Sequence, residues 1–279
     1  VTSPQRNGPD RLQVEALCLA QGMTPAQLAT FRYDLLRRVE GVSGGNPGLE
    51  PEEADTYTVG AVLRSPFAAT ALRDLTLTVD WYSIDFRDAI GRWEVDIAKD
   101  RCFSPEYNPE YDPTNGFCGF FRRTPATGEI FALELDQNVG GVDTTGVDVQ
   151  VDWSMPVGPG RLDANALINY VDEWQATEPN GARVEYVGTI GFRALGSAIP
   201  RWRSLLGLRY DWQGVTFYSR WQHVDAMRDA RYPDFRVPSR DYVDAGATYE
   251  FDDGWLDGLA ATVGVENLLD EAPPIFPSY

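Results

Sequence analysis

Val147-Asp148-Val149-Gln150-Val151-Asp152-Trp153-Ser154-Met155 alternates apolar and polar residues at every step. Successive side chains of an extended chain point to opposite faces, so this stretch reads as a strand with one apolar and one wet face. The pattern returns at 201–212, where Trp202, Leu206, Leu208, Tyr210 and Trp212 alternate with Arg201, Arg203, Arg209 and Asp211. Such runs last about nine to thirteen residues, against about five or six for an ordinary strand. Aromatic residues stand near their ends. Length, alternation and aromatic ends together are what a lipid-facing β-barrel wall requires.

Composition narrows the choice. The chain has 279 residues, 43% of them hydrophobic, with a mean hydropathy of −0.32. No stretch approaches the ~18–20 continuous apolar residues of a spanning helix, which excludes helical membrane proteins and leaves barrels open. The chain opens on Val1-Thr2-Ser3-Pro4 with no basic-then-apolar leader. A barrel protein must be exported, so the expectation is a natural N-terminus further upstream. The net charge of −18 is wrong for nucleic acid, whose phosphates need Lys and Arg. Carboxylates on solvated loops and wet strand faces account for that charge; capture of a metal chelate is a second reading of it. Cys102 and Cys118 share one long segment rich in Pro, Tyr, Asn and Gly, and in an exported protein that spacing suggests a loop-closing disulfide. Cys18 is left over, with a partner upstream of Val1 as one option. There is no Cys-x-x-Cys and a single histidine, so no metal or cofactor is expected.

Thr24-Pro25-Ala26-Gln27 reads as a capping box with Pro at the first helical position, opening a helix to about Val39 that Gly41 stops. Val42–Gly48 reads as a Gly-rich loop without the Gly-Lys-Ser/Thr ending of a phosphate-binding loop. Strands are expected at Thr56–Arg64, Leu75–Ile90, Val142–Met155, Leu162–Trp174, Pro200–Trp212, Val215–Val224, Asp241–Phe251 and Leu259–Leu268; Arg183–Phe192 is open between strand and loop. Short connections (65–74, 156–161, 213–214, 252–258) alternate with long ones (1–53, 91–141, 175–199, 229–239). Short turns on one rim and long loops on the other form the outer-membrane pattern, with the long side outside. The expected division is an exterior loop with a short helix over 1–53 and a partial transmembrane β-barrel over 54–279. The fold class is all-β: an antiparallel up-and-down meander of about eight strands, open and unable to close by itself.

Two motifs carry a family resemblance. The first is Gly45-Asn46-Pro47-Gly48-Leu49-Glu50-Pro51-Glu52, followed by Tyr57 and Gly60. The second is Gly264-Val265-Glu266-Asn267-Leu268-Leu269-Asp270. In this order and at this separation they resemble the C-terminal half of a TonB-dependent outer-membrane receptor, from Gly44 onward. Asn46, Pro47, Leu49, Pro51 and Glu52 would lead from an exterior loop into a strand; Asn267, Leu268 and Asp270 would open the next loop. Leu269 replaces the Phe more usual before the Asp. Nothing here matches the family's plug domain or the segment TonB grips, and the family's barrel has about twenty-two strands. The chain is therefore expected to be a fragment, with its final strand missing.

The resemblance implies an active importer of a scarce ligand: an iron-siderophore, haem, cobalamin or an oligosaccharide. The implied partners are outer-membrane lipid, TonB through the plug region, and a small-molecule or metal-chelate ligand. Aromatics stack on rings and Arg pairs with anions, so the loop residues Trp93, Tyr107, Tyr111, Phe120, Phe121, Arg122, Arg123, Trp174, Tyr186, Tyr232 and Phe235 are ligand candidates; packing of the loops or an aromatic girdle is their structural alternative. Arg201, Arg203, Arg209, Arg220, Asp148 and Asp152 are expected on the lumen face. No nucleophile–base–orienter set is evident, and the expectation is a protein without catalysis. The rival class is a secreted all-β carbohydrate-binding or carbohydrate-active protein, which would suit eight tryptophans and many acids. A third reading, an outer-membrane lipase, would need a Ser–His pair, and His223 has no evident partner in sequence.

Overall fold

The computed structural model describes residues 8–31, 39–191, 198–230, 232 and 234–274. Its main element is an antiparallel meander of long strands: β1 (Glu53–Arg64), β2 (Asp74–Arg87), β3 (Gly141–Val157), β4 (Gly160–Thr177), β5 (Trp202–Trp212), β6 (Val215–Val224), β7 (Arg240–Glu250) and β8 (Ala260–Val265). Each is hydrogen-bonded to its neighbour in chain order, and the short strand Arg183–Glu185 adds to β4. Both edge strands, β1 and β8, lie at the ends of that path, so the sheet is open. All eight expected strands are present, several longer than expected. Among the described residues no helix is long and apolar enough to cross a membrane.

Register carries the period-two pattern across the wall. Leu206 stands opposite Ala166 and Trp221, Trp221 opposite Val243, and Ala245 opposite Val265. Opposed residues share a face, so these apolar side chains form one continuous surface. Arg209 stands opposite Asp163 and Tyr218, and Arg220 opposite Asp244, on the other face. The apolar face is not buried: Leu208, Trp212, Phe217, Tyr249 and Val263 are all exposed. A water-soluble sandwich would hide that face in a core. A wall whose solvent is hydrocarbon has no need to.

Turns set the register. Gln213-Gly214 has φ of 47° and 75°, positive at both central positions as a type I′ hairpin requires. Gly158-Pro159 joins β3 to β4 with φ 55° at Gly158, as a type II′ turn needs. β3 and β4 thus extend closer to their turn than the expected Pro156–Arg161 loop allowed. β8 stops at Val265, short of Leu268, because Asn267 and Asp270 both adopt φ 52° and fold the chain into a turn.

The chain clusters into two compact units. The first gathers residues 1–54, 86–142 and 176–184; the second holds the wall and residues 185–279. The first unit has its own hydrophobic core, with Leu17, Val95, Cys102, Phe117, Phe121 and Ala132 among its members. Helices α1 (Arg11–Ala20), α2 (Pro25–Thr30) and α3 (Val95–Cys102) belong to it. The expected capping box is made: Gln27 N–H donates to Thr24 Oγ1 at 3.2 Å, and Thr24 N–H to Gln27 Oε1 at 2.8 Å. The helix it opens ends at Thr30, not near Val39, and 32–38 lie outside the described residues. Glu40–Gly44, which takes in the expected helix stop at Gly41 and the start of the expected Val42–Gly48 loop, is a strand paired in parallel with Ile130–Leu135, from Glu40 opposite Phe131 to Gly44 opposite Leu135. Pairing across 90 residues of sequence is invisible to local patterning, and no alternation marks that strand. The uncertain Arg183–Phe192 stretch resolves into two short strands, Arg183–Glu185 and Thr189–Ile190; Phe192 lies outside the described residues.

Candidate functional site

In the first unit, Cys102 at the end of α3 is bonded to Cys118, with Cα atoms 5.0 Å apart. The bridge fastens α3 to the 3-10 helix Gly116–Phe120. Between them Asn108, fully buried, donates to the carbonyls of Cys102 (2.9 Å) and Asp112 (3.1 Å) and accepts from Asp112 N–H (2.9 Å). The same helix turn delivers Arg101 into an aromatic cage. Its guanidinium carbon lies 4.8 Å from the Trp93 ring centre, 4.6 Å from Tyr107 and 5.0 Å from Phe117. Nη1 pairs with Glu178 Oε1 at 2.5 Å, and both side chains are only 3% exposed. A buried charge is tolerable only when paired, and this one is paired and ringed by π faces.

Two of the sequence candidates, Trp93 and Tyr107, are therefore walls of the Arg101 cage, each with part of its surface exposed. Phe120 and Phe121 are buried. Arg123 is buried, donating to the Gly128 carbonyl at 3.1 Å and to Cys18 Sγ at 3.4 Å. Burial pulls its guanidinium below its ordinary value, partly offset by Cys18. Arg122, one residue away, points outward with its guanidinium 4.7 Å from the Phe131 ring centre. Tyr111 borders a cavity of about 320 Å³ shared with Asp10, Asp100, Phe103 and Ser104. Burial, then the Asp10 carboxylate, push the Tyr111 hydroxyl above its usual pKa. At Asp112, the Thr114 N–H and hydroxyl hold the carboxyl below its usual range.

In the second unit, Trp174 and Tyr186 meet edge to face with ring centres 5.8 Å apart, and Tyr186 is buried. Glu185 Oε1 accepts from the N–H groups of Trp174 (3.2 Å) and Val187 (2.7 Å), fixing that corner. Tyr232 is exposed and Phe235 half-buried on the 225–239 connection. The structure thus groups Trp93 with Tyr107 and Trp174 with Tyr186. Sequence reasoning missed Arg101 and Glu178, the cage's charged centre. Their 77-residue separation left no local signal; only the density of aromatics around Arg101 hinted at it.

The motif residues act as clasps. Asn46 Oδ1 accepts from Gly48 N–H at 2.9 Å, and Glu52 Oε1 from Ile90 N–H at 2.7 Å. Asn138 exchanges two bonds with the Glu50 backbone, both 2.9 Å. Pro47 and Pro51 supply no donors, so side chains from elsewhere hold this descent. In the second motif, Asn267 donates its N–H to Asp244 Oδ1 at 2.9 Å and exchanges bonds of 3.0 Å with Glu271. Leu268 N–H reaches the Val243 carbonyl at 2.6 Å. Asp244 also takes Arg220 through Nε (2.9 Å) and Nη2 (2.5 Å). Among the described residues no three His, Cys, Asp or Glu side chains converge to hold a metal.

An antiparallel meander with an unburied apolar face and an ion-paired opposite face defines a wall of an outer-membrane-type barrel. Residues 21–268 match the family model described as TonB dependent receptor-like, beta-barrel, so the chain belongs to that family. One solved structure agrees on the fold, and two further ones are similar over a like share of this chain. The outer membrane transporter YddB from Escherichia coli matches at a TM-score of 0.53 with 11% identity, over 84% of this chain and 31% of its own. A ferric enterobactin receptor variant from Pseudomonas aeruginosa matches at 0.49 and 13%, over 81% and 27%. The FrpB iron transporter from Neisseria meningitidis matches at 0.48 and 12%, over 82% and 29%. The chain spans less than a third of the length of these structures. No curated protein matches it in sequence.

Proposed function

We propose that this chain is a section of the barrel wall and exterior loops of a TonB-dependent active importer in the outer membrane of a Gram-negative bacterium. The observation that carries the reading is the register-continuous apolar face that the fold leaves exposed. Its dimensions support it. The eleven residues Trp202–Trp212 span ~34 Å at ~3.4 Å per residue. With a strand tilt of ~40° this is a rise of ~26 Å, against an apolar band ~25 Å tall in such barrels. The tight turns would then face the periplasm and the long connections the exterior.

The cargo is a scarce small molecule or metal chelate, with plug and TonB completing the machine. The candidates with exposed surface carry ligand contact in this reading: in the first unit Arg122, then Trp93 and Tyr107, or in the second unit Tyr232, then Trp174 and Phe235. Tyr111, Arg123 and Tyr186 serve the packing that holds them. The test is calorimetric binding by the intact receptor of a panel comprising ferric siderophores, haem, cobalamin and maltodextrins. One class should bind, and Arg122→Ala or Tyr232→Ala should weaken it about tenfold or more. Binding unchanged in both variants would remove these residues from the site; an intact, folded receptor whose cells show no TonB-dependent uptake would contradict the importer.

A further inference from the structure

One row of the apolar face is not apolar. At the end of the wall away from the two-residue turns, Trp202 stands opposite Tyr170, Ser204 opposite His223, and His223 opposite Asp241. Cross-strand partners and next-but-one residues share a face, so these side chains sit on the same side as Leu206, Trp221 and Val243. Asp241 Oδ1 accepts from Trp221 Nε1 at 2.9 Å and meets His223 Nδ1 at 2.9 Å. The Trp221 and His223 rings stack with centres 5.8 Å apart, and those of Tyr170 and Trp202 lie 4.5 Å apart. The Asp241 side chain is nevertheless 46% exposed and Trp202 44% exposed. The row stands at the rim of the apolar band, and the two protein partners of Asp241 leave part of its carboxylate open to a polar ligand there.

We propose that this row binds the saccharide head of a glycolipid whose acyl chains run down Leu206, Ala166 and Val243. The inference rests on the lipid-facing reading of the wall. A sugar ring presents C–H groups on its face and hydroxyls on its edge. The Trp202–Tyr170 pair offers the aromatic platform, while the Asp241 carboxylate and Ser204 hydroxyl take the hydroxyls. Charge selects against a phosphate head. Asp241 and Asp172 bring two carboxylates against one guanidinium, that of Arg201, which donates to the Tyr170 hydroxyl (3.3 Å) and the Asp172 carbonyl (3.4 Å).

The experiment places the intact receptor in nanodiscs of phosphatidylglycerol and phosphatidylethanolamine with a minor fraction of a phosphate-free diglucosyl diacylglycerol. Native mass spectrometry then counts the lipids retained, after heat-modifiable migration has verified folding. Wild-type receptor should keep the glycolipid in preference. Trp202→Ala and Asp241→Ala should each cut that retention about tenfold, Trp202→Phe should keep most of it, and Trp212→Ala at the opposite end should keep it all. Ser204→Leu, a change a lipid-facing surface tolerates, should also cut retention and stands in if Asp241→Ala does not fold. Equal retention in wild type and variants, or preference for phosphatidylglycerol, overturns the proposal. Quenching of wall tryptophans by brominated acyl chains separates the two failures. Quenching without glycolipid selection sinks this inference alone, and absence of quenching sinks the lipid-facing wall itself.

Discussion

Arg101 and Glu178 show what one residue pair does for the first unit. Each is buried to 3% exposure, and the pair joins α3 to the 176–184 segment. Removing one partner strands the other's charge, at a cost of ~3–5 kcal/mol. Glu178→Ala should therefore lower the first unit's unfolding midpoint sharply, while Arg101→Met with Glu178→Met should recover much of the loss; equal damage from single and double variants would deny the pairing. Tyr111 makes a pH prediction. Its pKa is raised above 10.0 by burial and by Asp10. A raised folded value means the neutral phenol is favoured, so its stabilisation is fully present below about pH 10 and is lost as pH climbs through the folded value. Hydrogen exchange in 95–120 should accelerate above that pH, and Tyr111→Phe should flatten the rise. At this scale the sequence was only half readable. The Cys102–Cys118 bridge followed from export and spacing, and the structure makes it. The cage around Arg101 did not follow, because cation–π contacts over tens of residues leave no periodic trace.

Elements obey their own constraints. The bridge closes a separation of 16 residues, which chain entropy values at ~3 kcal/mol. Reduction should thus make 91–141 sensitive to protease while the wall strands resist; uniform protection after reduction would show the bridge to be redundant. Within the wall, Tyr218 lies over two glycines. A Cβ at Gly264 would come 2.6 Å from the Tyr218 hydroxyl. Gly264→Ala should cost ~1–3 kcal/mol, and Tyr218→Phe should restore most of it in a folding titration. Failure of that rescue would place the need for glycine elsewhere. The eight long strands were legible because period two is a local signal sustained over many residues. Glu40–Gly44 was not, since its partner is distant and its own pattern is flat.

For the whole molecule, the unburied apolar face decides the reading. Had the second unit been a soluble sandwich, Leu208, Phe217 and Val263 would be covered. The two family motifs pointed to the right family, and the match over 21–268 agrees. They are architectural clasps, so they name the barrel and not its cargo. Loop surfaces, where a ligand would be chosen, have no periodicity to read. Charge placement follows from the wall model. Val149→Arg, on the apolar face near mid-strand, should cost ~2–4 kcal/mol in folding into bilayers, while Gln150→Arg on the lumen face should cost little.

A nitroxide scan over residues 147–153 in a Cys18→Ser background, reconstituted in bilayers, tests the central claim most directly. Labels at 147, 149, 151 and 153 should collide with oxygen, labels at 148, 150 and 152 should collide with a water-soluble nickel reagent, and the two profiles should run in antiphase. Profiles that run in phase, or labels at 147, 149 and 151 shielded from both reagents, would contradict a lipid-facing wall.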